Sequence, residues 1–469
     1  MNTSRRWWIF AIVSLALFMG ALDNLVVTTA LPAIQRAFHA NLADLEWTVN
    51  AYTLVFTILM IPAAALGDRF GHKRVLLAGV GFFTLGSTLS ALSSSALMLA
   101  LARGLQGLGG ACITPLTLTI LTRAFPSEQR ALIIGLWSGI SGLGLTIGPL
   151  VGGAIVNGWN WSAVFWVNVP LGIVLLVLGQ MRLPESYGDQ RPLDLPAILL
   201  IGTSLLGIIF GVSNGNAMGW SSLPVAGALL TGAMLLLAFL VRERVTVAPM
   251  IDLNLFTKRD FSISTLIGFL MSFGMFGSVF FITQFFQDVL RVSPLIAGQE
   301  TMPWTASIML VAPLAGLLTR RMGTRLIILS GMLAQAVALA WIGLLATTTT
   351  PYIALLPAFI LAGLGMGFTF GPTSSVVMNA VSSMQQGQAS SISNTVRELG
   401  GVFGIALLGV VFGQITSNAA VFVDMFRATV LVGASIVAVG GLLTLLLPRT
   451  APVSSTDEVL QEVEELPAA

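Results

Sequence analysis

Among the charged residues that stand inside long apolar stretches of this 469-residue chain, Asp23, Arg103 and Glu398 are the first candidates for chemistry. A carboxylate in such a stretch is costly unless it is paired or hydrated. Burial alone favours its neutral form. Asp23, in LDNLVVTTALPAI (Leu22–Ile34), therefore fits a group that takes up and releases a proton. It equally fits a packing role, hydrogen-bonded to a neighbour such as Asn24. Arg103, in LARGLQGLGGA (Leu101–Ala111), keeps its charge and so cannot itself titrate. It could hold a nearby carboxylate ionised, or its long stem could reach back to the nearer membrane face. Glu398, in NTVRELGGVFG (Asn394–Gly404), follows Arg397. Successive helical residues point about 100° apart, so the two need not pair. Glu398 is read as a local proton site in preference to an interfacial charge.

A second group is positional. GDRFGHKR (Gly67–Arg74) concentrates Asp68, Arg69, His72, Lys73 and Arg74 between almost charge-free runs. Gly71 permits a tight turn and Gly67 a close helix approach. Asp68 lies just before the following helix, whose first amides favour an anion. LTRRMGTRLIILSG (Leu318–Gly331) repeats the pattern at a constant offset of 252, placing Gly71 on Gly323, Lys73 on Arg325 and Gly79 on Gly331. A loop that only oriented the chain would need neither the acid, the glycines nor a second copy. In GLTIGPLVGG (Gly144–Gly153), Gly144, Gly148 and Gly152 share one helix face open to close packing, and Pro149 permits a bend. Phe269, Phe273, Phe276 and Phe280 recur at helical spacing, with Gln284 beyond and Glu300 opening the next span. Such an aromatic face with few polar groups suits a lipophilic ligand, and it suits helix packing as well.

The elements that must carry these residues follow from composition. Hydrophobic residues make up 55% of the chain and charged ones 9%, far below the roughly one quarter of a soluble domain. The alternation of a β-barrel is absent. Helices satisfy their own backbone hydrogen bonds, as a bilayer demands. Fourteen spans fit, at about 8–31, 47–67, 75–95, 97–122, 132–156, 163–181, 195–213, 224–241, 261–288, 297–319, 326–346, 353–380, 390–416 and 427–447. The first follows Arg5 and Arg6 without a small-residue cleavage site, so it is expected to be retained. With both termini cytoplasmic, every Lys and Arg of the 22 falls on the inner side except Arg36, Arg103, Arg291, Arg397 and Arg427. That asymmetry sets the orientation.

The expected organisation is an all-α polytopic membrane protein: a six-helix bundle (1–190), two inserted helices (191–245), a second six-helix bundle (246–448) and an acidic cytoplasmic tail (449–469). Repeated halves suit alternating access around a midplane site. Cys112 is the single cysteine, which excludes an intramolecular disulfide. The two histidines, His39 and His72, are far apart, and no metal site is expected. No Gly-rich loop ends in Lys-Ser/Thr, so ATP hydrolysis is not the expected energy source.

These segments, in this order, resemble the major facilitator superfamily, in its fourteen-helix drug:proton antiporter branch, over about residues 8–447. The resemblance implies that Gly67, Asp68, Arg69, Gly71, Lys73 and Arg74 form an inner gate, with Asp68 reaching arginines of neighbouring inner segments, Arg123 and Arg130. His72 stands where arginine is common. It implies that Asp23 and Arg103 serve proton coupling, and that Gly144, Gly148, Pro149 and Gly152 mark an antiporter. It departs at Glu398, where glutamine is frequent. The implied activity is proton-gradient-driven export of amphipathic or lipophilic compounds across the plasma membrane. No cofactor, enzyme activity or nucleic acid is expected, and the expected partners are substrate, protons and lipid, around a monomer. A narrow exporter of one metabolite, antibiotic or siderophore is the alternative; a channel or membrane enzyme would leave the duplicated loop unexplained.

Overall fold

The computed structural model describes residues 3–188, 194–246, 249, 251–381, 385–414, 416 and 418–448. The boundary near 190 and the tail at 449–469 fall outside them. Among the described residues all regular structure is helical. Among the described residues, thirteen helical segments are long and apolar enough to cross a membrane.

The first half comprises α1 (Thr3–Phe38), α2 (Leu42–Phe70), α3 (His72–Ala91), α4 (Ala96–Ala124), α5 (Ser127–Gly158), and one span made of α6 (Ala163–Trp166) and α7 (Asn168–Arg182). The inserted pair is α8 (Leu195–Met218) and α9 (Leu223–Val245). The second half comprises α10 (Arg259–Gln284), α11 (Pro294–Met322), α12 (Thr324–Leu345), α13 (Tyr352–Asn379), α14 (Gln386–Phe412) and α15 (Ala419–Leu443). α11, at 29 residues, is the fourteenth element long enough to span. Helices α1, α2, α4, α5, α9 and α11 run past the expected spans at both ends, whereas α3 and α14 stop short at their C-terminal ends. At the start of α2, Asn41 and Asp44 form a capping box in the polar rim.

The two halves repeat each other's packing. α1 lies on α5 as α10 lies on α14; α2 and α3 pack on α4 as α11 and α12 pack on α13. Backbone geometry repeats at the same offset of 252. Gly71 and Gly323 both have positive φ, 103° and 83°, between consecutive helices. His39 and Arg291 close the first helix of each half with φ of 50° and 58°. The halves meet along two related joints, α5 on α11 and α2 on α14, and α8 lies against α2 and α14.

Contacts between the halves include a tight seal at the outer ends. A side chain at Gly153 would collide with the Pro294 carbonyl, and one at Gly298 with the Pro149 carbonyl. Gln287 donates to the Thr29 carbonyl at 2.9 Å, and Arg36 pairs with Asp288 at 3.4 Å. Taken with the orientation set by the basic loops, the outer ends are shut.

Candidate functional site

The intramembrane charges of the first half converge. Asp23 and Arg103 are both 1% exposed at the side chain, and Arg103 Nη1 donates to Asp23 Oδ2 at 2.5 Å. Asp23 Oδ1 accepts from Gln106 Nε2 and Asn168 Nδ2, each at 2.8 Å. Ser87 Oγ joins the same two amides at 2.8 and 3.3 Å. Arg103 also donates to Gln106 Oε1 at 2.6 Å and to the Thr48 carbonyl at 3.2 Å, and its guanidinium lies 4.4 Å from the Tyr52 ring centroid. Helices α1, α2, α3, α4 and α7 each contribute. A buried ion pair offsets its desolvation only when hydrogen bonds use the remaining lone pairs and protons, and here both Asp23 oxygens and the Nε and Nη1 of Arg103 are bonded.

Gln106 and Asn168 complete a site that the apolar pattern pointed to only through Asp23 and Arg103. The signal was available: each is an amide inside an otherwise apolar span. Their distance in sequence, 83 and 145 residues from Asp23, hid the connection.

Helix α4 can carry Arg103 this deep because glycines bring its neighbours close. At Gly107 a side chain would collide with the Tyr52 carbonyl, and at Gly109 with the backbone of α3. The face Gly144, Gly148 and Gly152 does the same for α1. An added Cβ would lie 2.9 Å from Ala21 Cβ at Gly144 and 3.2 Å from Leu25 Cβ at Gly148, and would collide with Thr29 at Gly152. The glycine face thus clamps α1 on both sides of Asp23, and Pro149 turns its carbonyl to α11.

In the second half Arg397 Nη2 does reach Glu398 Oε1, at 3.2 Å, although the two residues are adjacent. Both side chains are long enough to bend back across the 100° between them. Arg397 also donates to Asn394 at 2.7 Å and lies 4.4 Å from the Phe370 ring centroid. Glu398 is within electrostatic reach of Tyr52, and so of the ring that stacks on Arg103.

The phenylalanine face of α10 differs from an open cavity wall. Phe273, Phe280 and Gln284 are buried in the core, and Phe276 is half-buried against Gly401. Gly400 and Gly404 admit the Phe269 and Phe273 backbone as Gly144 and Gly148 admit α1. The stripe is accounted for by this repeated helix seam. Glu300 stands apart near the outer end, its carbonyl accepting from the Tyr352 hydroxyl at 3.0 Å.

At the inner end the geometry of the charged island also differs from expectation. Asp68 accepts from His72 Nε2 at 3.0 Å, and no bond to Arg123 is formed; Arg123 instead donates to the Tyr187 carbonyl. The side chain of Arg130 lies outside those described. His72 is buried and its Nδ1 meets Ser186 at 2.6 Å. Glu185 accepts from the Lys73 amide at 2.9 Å and sits 3.7 Å from Arg74, while Lys73 Nζ donates to the Gln180 carbonyl at 2.8 Å. Arg69 extends over Phe70, 5.4 Å from its ring centroid. A side chain at Gly67 would collide with Leu116. The island therefore grips the segment after α7, within its own half. Glu185 and Ser186 are its partners there, and His72 joins Asp68 to Ser186.

Gly71→Ala would place a Cβ 2.6 Å from the Glu185 carboxyl at a φ of 103°. A positive φ costs a non-glycine residue about 1–2 kcal/mol. A lowered thermal midpoint in detergent is expected, whereas Gly81→Ala, with nothing within 4 Å, should cost nothing measurable.

Residues 13–405 match the sequence pattern of the Major Facilitator Superfamily. The chain belongs to the Major Facilitator Superfamily. Among curated relatives it is 33% identical to the tetracenomycin C resistance and export protein of Streptomyces glaucescens, over 87% of this chain and 76% of that one. It is 34% identical to the multidrug efflux pump LfrA of Mycolicibacterium smegmatis, over 87% and 81%. Solved superfamily members share the fold: the xylose transporter XylE from E. coli in a partially occluded inward-open conformation superposes with a TM-score of 0.64 at 15% identity, over 96% of this chain and 99% of that one. The chain is a multi-pass integral membrane transporter.

Proposed function

We propose that this transporter is a proton-coupled antiporter that exports small amphipathic or lipophilic compounds across the plasma membrane by alternating access. The observation that carries the reading is Asp23: a buried carboxylate whose two oxygens are held by an arginine and two amides from two other helices, α4 and α7. Such a group changes charge only if the cluster rearranges, so its protonation is tied to helix movement. The reading is supported by the resistance and efflux relatives, and by the glycine face that clamps α1 around Asp23.

In this scheme protons enter from outside and neutralise Asp23, freeing Arg103. Tyr52 passes the change toward Glu398 and Arg397 across the central interface. Substrate and proton then bind exclusively, each stabilising a different state. The inner island around Asp68 holds the segment after α7 while the outer ends are shut. The protein works as a monomer with the proton gradient as its only energy source and without a cofactor.

Uptake of labelled cationic and neutral lipophilic compounds into inverted vesicles tests this. Several chemically unrelated compounds should accumulate when a pH gradient is imposed, and none when it is collapsed. Accumulation of a single compound would replace the broad exporter with the narrow one; accumulation indifferent to the gradient would sink the coupling.

A further inference from the structure

The two joints between the halves are built alike, with one exception. On the α5–α11 side Gly153 and Gly298 allow backbones to touch. The seam offset that aligns Gly144 with Gly400 and Gly148 with Gly404 also aligns Gly153 with Gly409. The offset of 252 aligns Gly298 with Glu46. On the α2–α14 side, then, a glutamate fills the place of one glycine, and a Cβ at Gly409 would collide with its Oε1.

Glu46 is 1% exposed, and among the described residues its Oε2 has no hydrogen-bond partner. One turn along the same face, Asn50 is fully buried, and both its amide atoms are without a partner among the described residues. The Ser213 hydroxyl of α8 faces the carboxyl. Leu54, further along that face, packs with Val402 and Ala406 of α14 and Leu205 and Ile209 of α8. The charged groups on neighbouring helices are engaged elsewhere or lie at the inner end. Asp23 of α1 pairs with Arg103 of α4, Arg36 of α1 with Asp288, and Arg397 with Glu398 on α14. Arg5 and Arg6 of α1, Arg123 of α4, His72, Lys73 and Arg74 of α3, and Asp68 and Arg69 of α2 itself are at inner ends; Asp44 caps its own helix. α8 carries no charged residue from Leu195 to Met218.

We propose that Glu46 is a second proton-binding group, which senses external pH at the α2–α14 joint and holds the outer ends shut when protonated. A lone carboxylate without a cation is tolerable in a dry joint only as the neutral acid. When α2 and α14 part, water reaches Glu46 and Asn50 from outside, and the carboxylate can ionise. External acid therefore favours closing, and external alkali favours opening. The proton goes back to the outside at each opening and is not among those transported. The direction of substrate movement rests on the antiporter reading; the pH response does not.

The test places spin labels at the exposed outer positions Ala37 of α1 and Gln414, just after α14, in the full chain with Cys112 replaced by alanine. One coupled proton changes the open-to-shut ratio by up to about tenfold per pH unit. The wild-type distance distribution should pass from short to long as pH rises. Glu46→Gln, and Glu46→Leu as a second variant that fills the same space, should stay short at every pH. Asp23→Asn should keep the pH response even where it loses gradient-driven transport, which separates this proposal from the antiporter reading. A wild-type pH response in both Glu46 variants overturns the proposal, as does a wild-type distribution that does not change with pH.

Discussion

Asp23→Asn is expected to lose all gradient-driven efflux and to lower the thermal midpoint of the folded protein. Asparagine has the same shape and can still accept from Gln106 and Asn168. It cannot compensate Arg103, which is then left charged in a site 1% exposed. Removing one partner of a buried pair costs about 3–5 kcal/mol. Stability and coupling can be separated by a second substitution. In Asp23→Asn with Arg103→Gln both charges are gone, and the amides can bond among Gln106, Asn168 and Ser87. Replacing a buried pair by neutral groups is often neutral or stabilising. The double variant is therefore expected to recover most of the midpoint and none of the coupled transport. Thermal unfolding in detergent and uptake into inverted vesicles, measured on the same preparations, give both readings. Recovery of transport along with stability would reduce Asp23 and Arg103 to packing.

Gly153→Val should impair transport about as severely, for a different reason. The added side chain meets the Pro294 carbonyl and Leu295 Cα, atoms of a helix in the other half that cannot move aside alone. Overpacking of this kind costs about 1–3 kcal/mol, roughly a five- to 150-fold shift in an equilibrium. Because the clash exists only when the outer ends are shut, the cost falls on that state. Transport should drop by about that factor with little change in the amount of folded protein. Gly152→Val, one residue earlier, faces α1 within its own half and should instead reduce folding. Gly158→Ala, with nothing within 4 Å, is the neutral control. Equal losses of folded protein at Gly152 and Gly153 would contradict the assignment of the two faces.

Much of this molecule is legible in its sequence. Long apolar runs give the spans, because a bilayer leaves the backbone few alternatives. The echo of GDRFGHKR gives two halves, and the same offset reappears in the backbone at His39 and Arg291, where no sequence motif marks it. The side-chain connections were less legible. Of the arginines that Asp68 is expected to reach, Arg123 turns to the Tyr187 carbonyl instead, while His72, one turn away, meets Asp68 and is buried against Ser186. That departure from the common arginine is itself a structural part. The phenylalanines of α10 read as a ligand face because their spacing is visible, while Gly400, Gly401 and Gly404, which receive them, lie more than a hundred residues on. Glu46 is hidden in the sequence for the opposite reason. Near a polar helix start it looks like an ordinary surface acid, and only the fold turns it into a joint.

Substrate-driven proton movement in proteoliposomes tests the central claim most directly. With purified protein, a pH dye inside the vesicles and a substrate gradient as the only driving force, substrate moving one way should carry protons the other way. Asp23→Asn should abolish the dye signal. Substrate flux with no pH change, or with protons moving in the same direction, would contradict antiport.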